Sequence, residues 1–197
     1  MPRLLTVAGS LRAGSSNAEL LAAVALIAPS EVAVSAYSAL GSPPAFNPDI
    51  EESGAVPPAV SEWRTALAAA DMLLISTPEY AHGIPGALKN ALDWVVGSGE
   101  LVGKPVGVVN PSASSRFAFP QLIEVLTVMS ASVVPGATVV LDLPRRGLGA
   151  AELAADAAVA ASLAGIISAL LAASTPTDSI DARVNAVVSM MISYSIP

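Results

Sequence analysis

The chain has 197 residues, with 16 acidic and 9 basic side chains, one His and no Cys, for a formal net charge of −7. Without Cys there is no disulfide, thiolate nucleophile, iron–sulfur cluster or Cys-ligated zinc, and a single His excludes a multi-His metal site. Seven of the nine basic residues are Arg, scattered except at Arg145–Arg146, so no basic stripe offers itself to nucleic acid.

One domain is the expectation at this length, with a core burying ~70% of the unfolded surface. Hydrophobic residues make up 53%, charged residues 13% and aromatics 4%, so the apolar mass is mostly Ala, Val, Leu and Ile. That composition excludes a disordered chain and suits buried parallel strands under helices. The mean hydropathy of +0.65 calls for a membrane check. The opening MPRLLTVAGSLRAG is too broken for a signal-peptide core. Residues Ala157 to Thr177 carry no charge and approach the ~20 residues of a membrane span. Their Ala and Ser content instead favours a helix that is buried or faces a second copy of the chain.

In chain order, Arg3–Ala8 (RLLTVA) reads as a buried strand and Gly9–Ser16 as a Gly/Ser loop. Asn17–Ala28 is a helix with Leu20, Leu21, Val24 and Ile27 at helical spacing, stopped by Pro29. Glu31–Tyr37 is a second strand, and Ala39–Pro58, rich in Pro, Gly, Asn and Asp, is a long loop. Val60–Ala70 is a helix presenting Trp63 and Leu67 on one face, followed by the strand Asp71–Ser76. Pro85–Val96 is a helix opened by its proline, Lys104–Asn110 a strand and Phe117–Ser130 a helix. Val133–Leu143 is a last strand with a bend at Gly136, and Ala150–Ala173 a final helix. This alternation predicts an open parallel sheet with helices on both faces, which binds ligands at the carboxyl ends of its strands.

Three strand-to-helix loops have the composition of a binding site. In Gly9–Asn17 (GSLRAGSSN), the helix N-terminus, the hydroxyls of Ser10, Ser15 and Ser16, the Asn17 amide and the Arg12 guanidinium all suit a phosphate ester. The loop is neither a GxGxxG fingerprint nor a triphosphate loop, and a plain serine cap with an incidental Arg is its bland alternative. The second, Thr77–Gly86, packs two Pro, two Gly and Tyr80 into a rigid turn whose backbone can read the edge of a flat ligand. There Tyr80 can stack or hydrogen-bond and Glu79 can orient the loop. His82 has no nameable partner, Trp94 reads as core or interface, and Lys89 and Asp93 are spaced as an ion pair. The third, Asn110–Ala118 (NPSASSRFA), offers small hydroxyl residues and Arg116, which is also ordinary turn chemistry.

The pairing of GSLRAGSSN after the first strand with PEYAHGIPGALKNALDW after the third resembles the NADPH-dependent FMN reductases, a flavodoxin-like group that includes quinone, chromate and azo-dye reductases. The likeness extends over roughly residues 3 to 172 and includes Phe46–Asn47–Pro48–Asp49. It implies a flavodoxin-like three-layer α/β sandwich on a five-stranded parallel sheet, FMN as cofactor, NADPH or NADH as reductant, and a homodimer or homotetramer. By the same resemblance, Ser10, Arg12, Ser15 and Asn17 hold the FMN phosphate. Pro78, Glu79, Tyr80, Ala81, His82 and Gly83 line the isoalloxazine ring, and Ser112 and Ser115 lie beside it. Ala81 stands where the family usually has Asn, and Ser114–Ser115 where a Gly pair is common.

The resulting expectation is an FMN-dependent NAD(P)H oxidoreductase serving a small acceptor such as a quinone by a ping-pong scheme. No catalytic side chain and no metal are required, because the flavin carries the hydride chemistry and backbone N–H groups of the second loop stabilise charge on the ring. The alternative is a flavodoxin-like binding or electron-transfer module without NAD(P)H turnover. A Ser/His82 hydrolase lacks the GxSxG elbow. The expected location is cytoplasmic, with residues 1–173 as the domain and 174–197 as a tail that the family pattern does not account for.

Overall fold

The computed structural model describes residues 1–112, 115–141, 143 and 147–175. Ser114, Arg145–Arg146 and the tail beyond Thr175 lie outside the described residues.

The sheet follows from apolar, β-branched runs that are too uniform to face water on either side. β1 (Arg3–Ala8), β2 (Ala33–Tyr37), β3 (Met72–Ser76), β4 (Pro105–Asn110) and β5 (Ser132–Val140) pair in parallel in the order β2-β1-β3-β4-β5. This is the flavodoxin-like arrangement that the loop motifs implied. Alternating side chains split the core in two. Leu5, Val7, Leu73, Ile75, Val106 and Val108 face α3 (Pro58–Ala69), α4 (Gly86–Asp93) and α5 (Ala118–Val128). Leu4, Met72, Leu74 and Val109 face α1 (Ser16–Ile27), α6 (Ala150–Ala155) and α7 (Ala157–Ser174). The bend expected at Gly136 is a register shift, Val106 pairing Val133 while Val108 pairs Thr138. A Cβ on Gly107 would stand 2.8 Å from the Ala137 carbonyl, so the bulge and the glycine depend on each other.

Two expectations need correction. The Ala39–Pro58 loop contains a short helix, α2 (Pro48–Glu52), because Asn47 Oδ1 accepts from Asp49 N at 2.9 Å and Pro48 takes the first turn. The single helix expected over Ala150–Ala173 is two helices, because Asp156 leaves helical geometry and its Oδ1 accepts from Ala158 N and Val159 N at 2.9 and 3.0 Å. Element ends otherwise shift by a few residues: β2 starts at Ala33 rather than Glu31, and α4 ends at Asp93 rather than Val96. By length and hydropathy α7 is the one described helix that could cross a membrane, but Leu163, Ile166, Ile167 and Leu170 are buried against the sheet.

The long loop is anchored from beneath. Trp94 is fully buried, its Nε1 donates to the Pro44 carbonyl at 2.8 Å, and its ring meets Phe46 edge-on at 5.0 Å. Asn90 adds a bond from Phe46 N to its Oδ1 at 2.8 Å. Arg64 bridges Glu51 at 2.5 Å and the Trp94 carbonyl at 2.6 Å, and Lys89 pairs with Asp93 as the spacing predicted.

Candidate functional site at the carboxyl ends of three strands

Since β1, β3 and β4 are adjacent, the three suspect loops emerge side by side along the carboxyl edge of the sheet. The first runs from Gly9 to Ser15. Gly9 N donates to the Ser76 carbonyl at 2.8 Å, and a Cβ on Gly9 would fall 2.3 Å from Thr77 Oγ1. Only glycine therefore lets the first loop lie against the second. Gly14 takes φ +65°, turning the chain into α1.

Ser15 stands at the N-cap of α1 and is buried, yet its side chain caps no backbone N–H. A serine present only to start a helix would make that bond, so the observation goes against the plain-cap reading. Asn17 is buried in the first turn and accepts from Ser76 Oγ at 2.9 Å. Ser10 is half-buried and Arg12 exposed. Arg12 N donates to Ser10 Oγ at 3.3 Å, and the guanidinium reaches back to the Gly14 carbonyl at 3.3 Å.

The second loop is a tight hairpin. Tyr80 and Gly83 exchange both backbone hydrogen bonds at 3.0 Å around Ala81 and His82, which take φ +49° and +61°. Two central residues with positive φ make a type I′-like turn, where Asn and Gly are the favoured residues. Ala81 supplies neither a side-chain amide nor an easy left-handed backbone. Gln121 Oε1 accepts from Ile84 N at 2.9 Å. The amides of Tyr80, Gly83 and Ile84 are thus engaged, whereas those of Glu79, Ala81 and His82 have no acceptor among the described residues.

The loops are tied to one another. Tyr80 Oη lies 3.3 Å from Ser10 Oγ, joining the first and second. Glu79 Oε2 accepts from Phe117 N at 2.6 Å, Ala118 N at 2.9 Å and Ser115 Oγ at 3.2 Å, joining the second to the start of α5. The hydrogen bond from Ala118 N, followed by that from Phe117 N, holds the Glu79 carboxyl below its ordinary pKa. His82 stacks on Phe117 with ring centroids 4.3 Å apart, and both rings are exposed, as is Tyr80. Pro78 and Ser112 are half-buried along the same edge.

All twelve residues singled out from the sequence thus stand on these adjoining loops or, for Asn17, in the first turn of α1. The reading missed Ser76, Phe117, Gln121 and the amide of Asn110. Asn110 Oδ1 accepts from Ser112 N at 3.1 Å, while its buried Nδ2 has no partner among the described residues. An unpaired buried donor costs about 1–3 kcal/mol unless something occupies it. Its place at the end of β4 was a usable signal, since Asn is poorly suited to a strand interior. The donor set fits FMN on three counts: hydroxyl, amide and guanidinium donors at the α1 N-terminus, with the Ser15 hydroxyl capping no backbone N–H, a rigid turn after β3, and a buried donor without a partner among the described residues at the end of β4.

Comparison with known proteins agrees. The sequence pattern of the NADPH-dependent FMN reductases matches residues 2–144. A quinone reductase of Escherichia coli K12 is 35% identical over 106 residues, which is 53% of this chain and 56% of the relative. An NAD(P)H-dependent FMN reductase of Pseudomonas aeruginosa is 39% identical over 115 residues, 56% of this chain and 60% of the relative. The chain therefore spans a little over half the length of the curated relatives it matches. Among solved structures, the flavoenzyme NAD(P)H:(acceptor) oxidoreductase FerB of Paracoccus denitrificans superposes with a TM-score of 0.68 at 25% identity, over 88% of this chain and 97% of that one. With sheet order, loop geometry and sequence pattern in agreement, the chain belongs to the NADPH-dependent FMN reductase family.

Proposed function

We propose that this protein is an FMN-dependent NAD(P)H oxidoreductase that delivers reducing equivalents to a small acceptor such as a quinone. The observation that carries this reading is the cross-linking of three donor-bearing loops, through Ser10–Tyr80 and Glu79–Ala118, into one site at the carboxyl ends of β1, β3 and β4. FMN, when bound, would supply the hydride and electron-transfer chemistry between NADPH or NADH and the acceptor.

The residues bind and orient. Ser10, Arg12, Ser15 and Asn17 hold the phosphate with the first-turn amides of α1. Pro78, Glu79, Tyr80, Ala81, His82 and Gly83 would line the ring, where the amides of Ala81 and His82, which have no acceptor among the described residues, could meet developing negative charge. Ser112 and Ser115 border it from the third loop, Ser115 being steadied by Glu79. A ping-pong order follows if reductant and acceptor use the same face in turn. Residues 1–173 form the working domain, a homodimer or homotetramer is the proposed assembly, and the cytoplasm, where NAD(P)H is available, is the proposed location.

Titration with FMN tests the reading first: binding shifts the flavin absorbance and quenches its fluorescence. Steady-state NADPH oxidation with a quinone tests it next, since an electron carrier without reductase activity would show negligible turnover. Purified protein that leaves the FMN spectrum unchanged would remove the proposal.

A further inference from the structure

Ser76 closes β3 with no exposed surface, after four apolar residues, Met72 to Ile75. A hydroxyl in such a place is costly unless it is used. Its Oγ donates to Asn17 Oδ1 at 2.9 Å across 59 residues of sequence, while its carbonyl accepts from Gly9 N at 2.8 Å. An amide side chain has one accepting and one donating end. With Oδ1 taken by Ser76, Nδ2 is left as the donating end, and among the described residues nothing accepts from it. Asn17 sits in the first turn of α1, where Ser15 leaves the helix N-terminus without a side-chain cap.

We propose that Ser76 is a positioning residue for the cofactor phosphate: its hydroxyl fixes the Asn17 amide so that Nδ2 donates to the FMN phosphate. Ser76 touches no part of the ligand and acts only through Asn17. Any strand residue of similar size would fill the space, but only a donor in that place sets which end of the amide points outward. The inference rests on the FMN reading, and it assigns phosphate recognition partly to a strand residue beneath the loop.

The test compares FMN with riboflavin, which lacks the phosphate, by fluorescence titration of the full chain. Ser76→Ala should weaken FMN binding by about tenfold, the loss of one charge-assisted hydrogen bond, and leave riboflavin binding within about twofold. Asn17→Ala should show the same selective loss, and the double variant should lose no more than either single one. Asn17→Asp keeps the acceptor for Ser76 and places an oxygen where Nδ2 stood, so FMN affinity should fall by more than tenfold, on the order of a hundredfold, with riboflavin spared. Wild-type FMN affinity in Ser76→Ala, equal losses for both flavins, additive losses in the double variant, or FMN binding indifferent to Asn17→Asp would each overturn the proposal. Wild-type protein that binds neither flavin would overturn the functional reading and this inference with it, a result distinct from unchanged binding in Ser76→Ala.

Discussion

Glu79 Oε2 accepts the backbone N–H of Ala118 at 2.9 Å, so a carboxylate on the loop after β3 caps the helix after β4. The same oxygen takes Phe117 N at 2.6 Å and Ser115 Oγ at 3.2 Å, and so one atom ties together two loops of the candidate site. A negative charge at a helix N-terminus is favourable both for its hydrogen bonds and for the helix dipole.

Glu79→Ala should therefore loosen the second loop against the third. FMN binding is expected to weaken by about tenfold, the size of a lost charge-assisted contact, with Glu79→Gln intermediate because it keeps an acceptor without the charge. The pH dependence has a definite sign. Because the folded pKa of Glu79 is lowered, its contribution is complete above the ordinary glutamate range and is lost as pH falls through the lower folded value. Denaturant melts of wild type and Glu79→Gln from neutral to acid pH check this. Their stability difference should shrink in acid, and a constant difference would refute the account.

Ala81 at φ +49° is a β-carbon residue in left-handed backbone. Ala81→Gly and Ala81→Asn should each stabilise the protein by about 1 kcal/mol, measured by urea denaturation, since both tolerate this geometry better than alanine. Unchanged or lower stability in both variants would show that the turn is not strained.

Gly9→Ala should destabilise by about 1–3 kcal/mol, because the new Cβ would lie 2.3 Å from Thr77 Oγ1 and 3.2 Å from Leu88 Cδ2. Adding Thr77→Ala should recover part of that loss by removing the hydroxyl that the methyl meets. A double variant no more stable than Gly9→Ala alone would place the cost elsewhere.

Arg12 is exposed, and its guanidinium bonds only weakly, at 3.3 Å, to its own loop. Arg12→Ala should lower FMN affinity by about tenfold, leave riboflavin affinity unchanged, and make FMN binding less sensitive to salt. Equal affinity losses for the two flavins would take Arg12 off the phosphate.

The fold was legible because it depends on local pattern. Uniform apolar runs such as Met72–Ser76 and the alternation of strand and helix lead to a covered parallel sheet whatever the details. The loop motifs pointed to the candidate site for the same reason: Gly, Ser and Pro at fixed offsets from a strand end carry their meaning in the chain. The break at Asp156 and the turn of α2 were not anticipated, although each rests on a short side-chain cap, because a cap competes with helical continuation by only about 1 kcal/mol.

From sequence alone came the strand count, the covered sheet, the phosphate-like first loop and the family resemblance. Tertiary structure decided what pairs across distance: Ser76 with Asn17, Glu79 with Ala118, and Gly9 against Thr77. These partners lie between 39 and 68 residues apart and meet only because the sheet order sets β1, β3 and β4 side by side. The missing cysteines and single histidine excluded thiolate chemistry and a multi-His metal site at the outset. Which hydroxyl, amide and carboxylate act together was decided by the packing of the strands beneath the loops, because hydrogen bonds require an approach that composition does not encode.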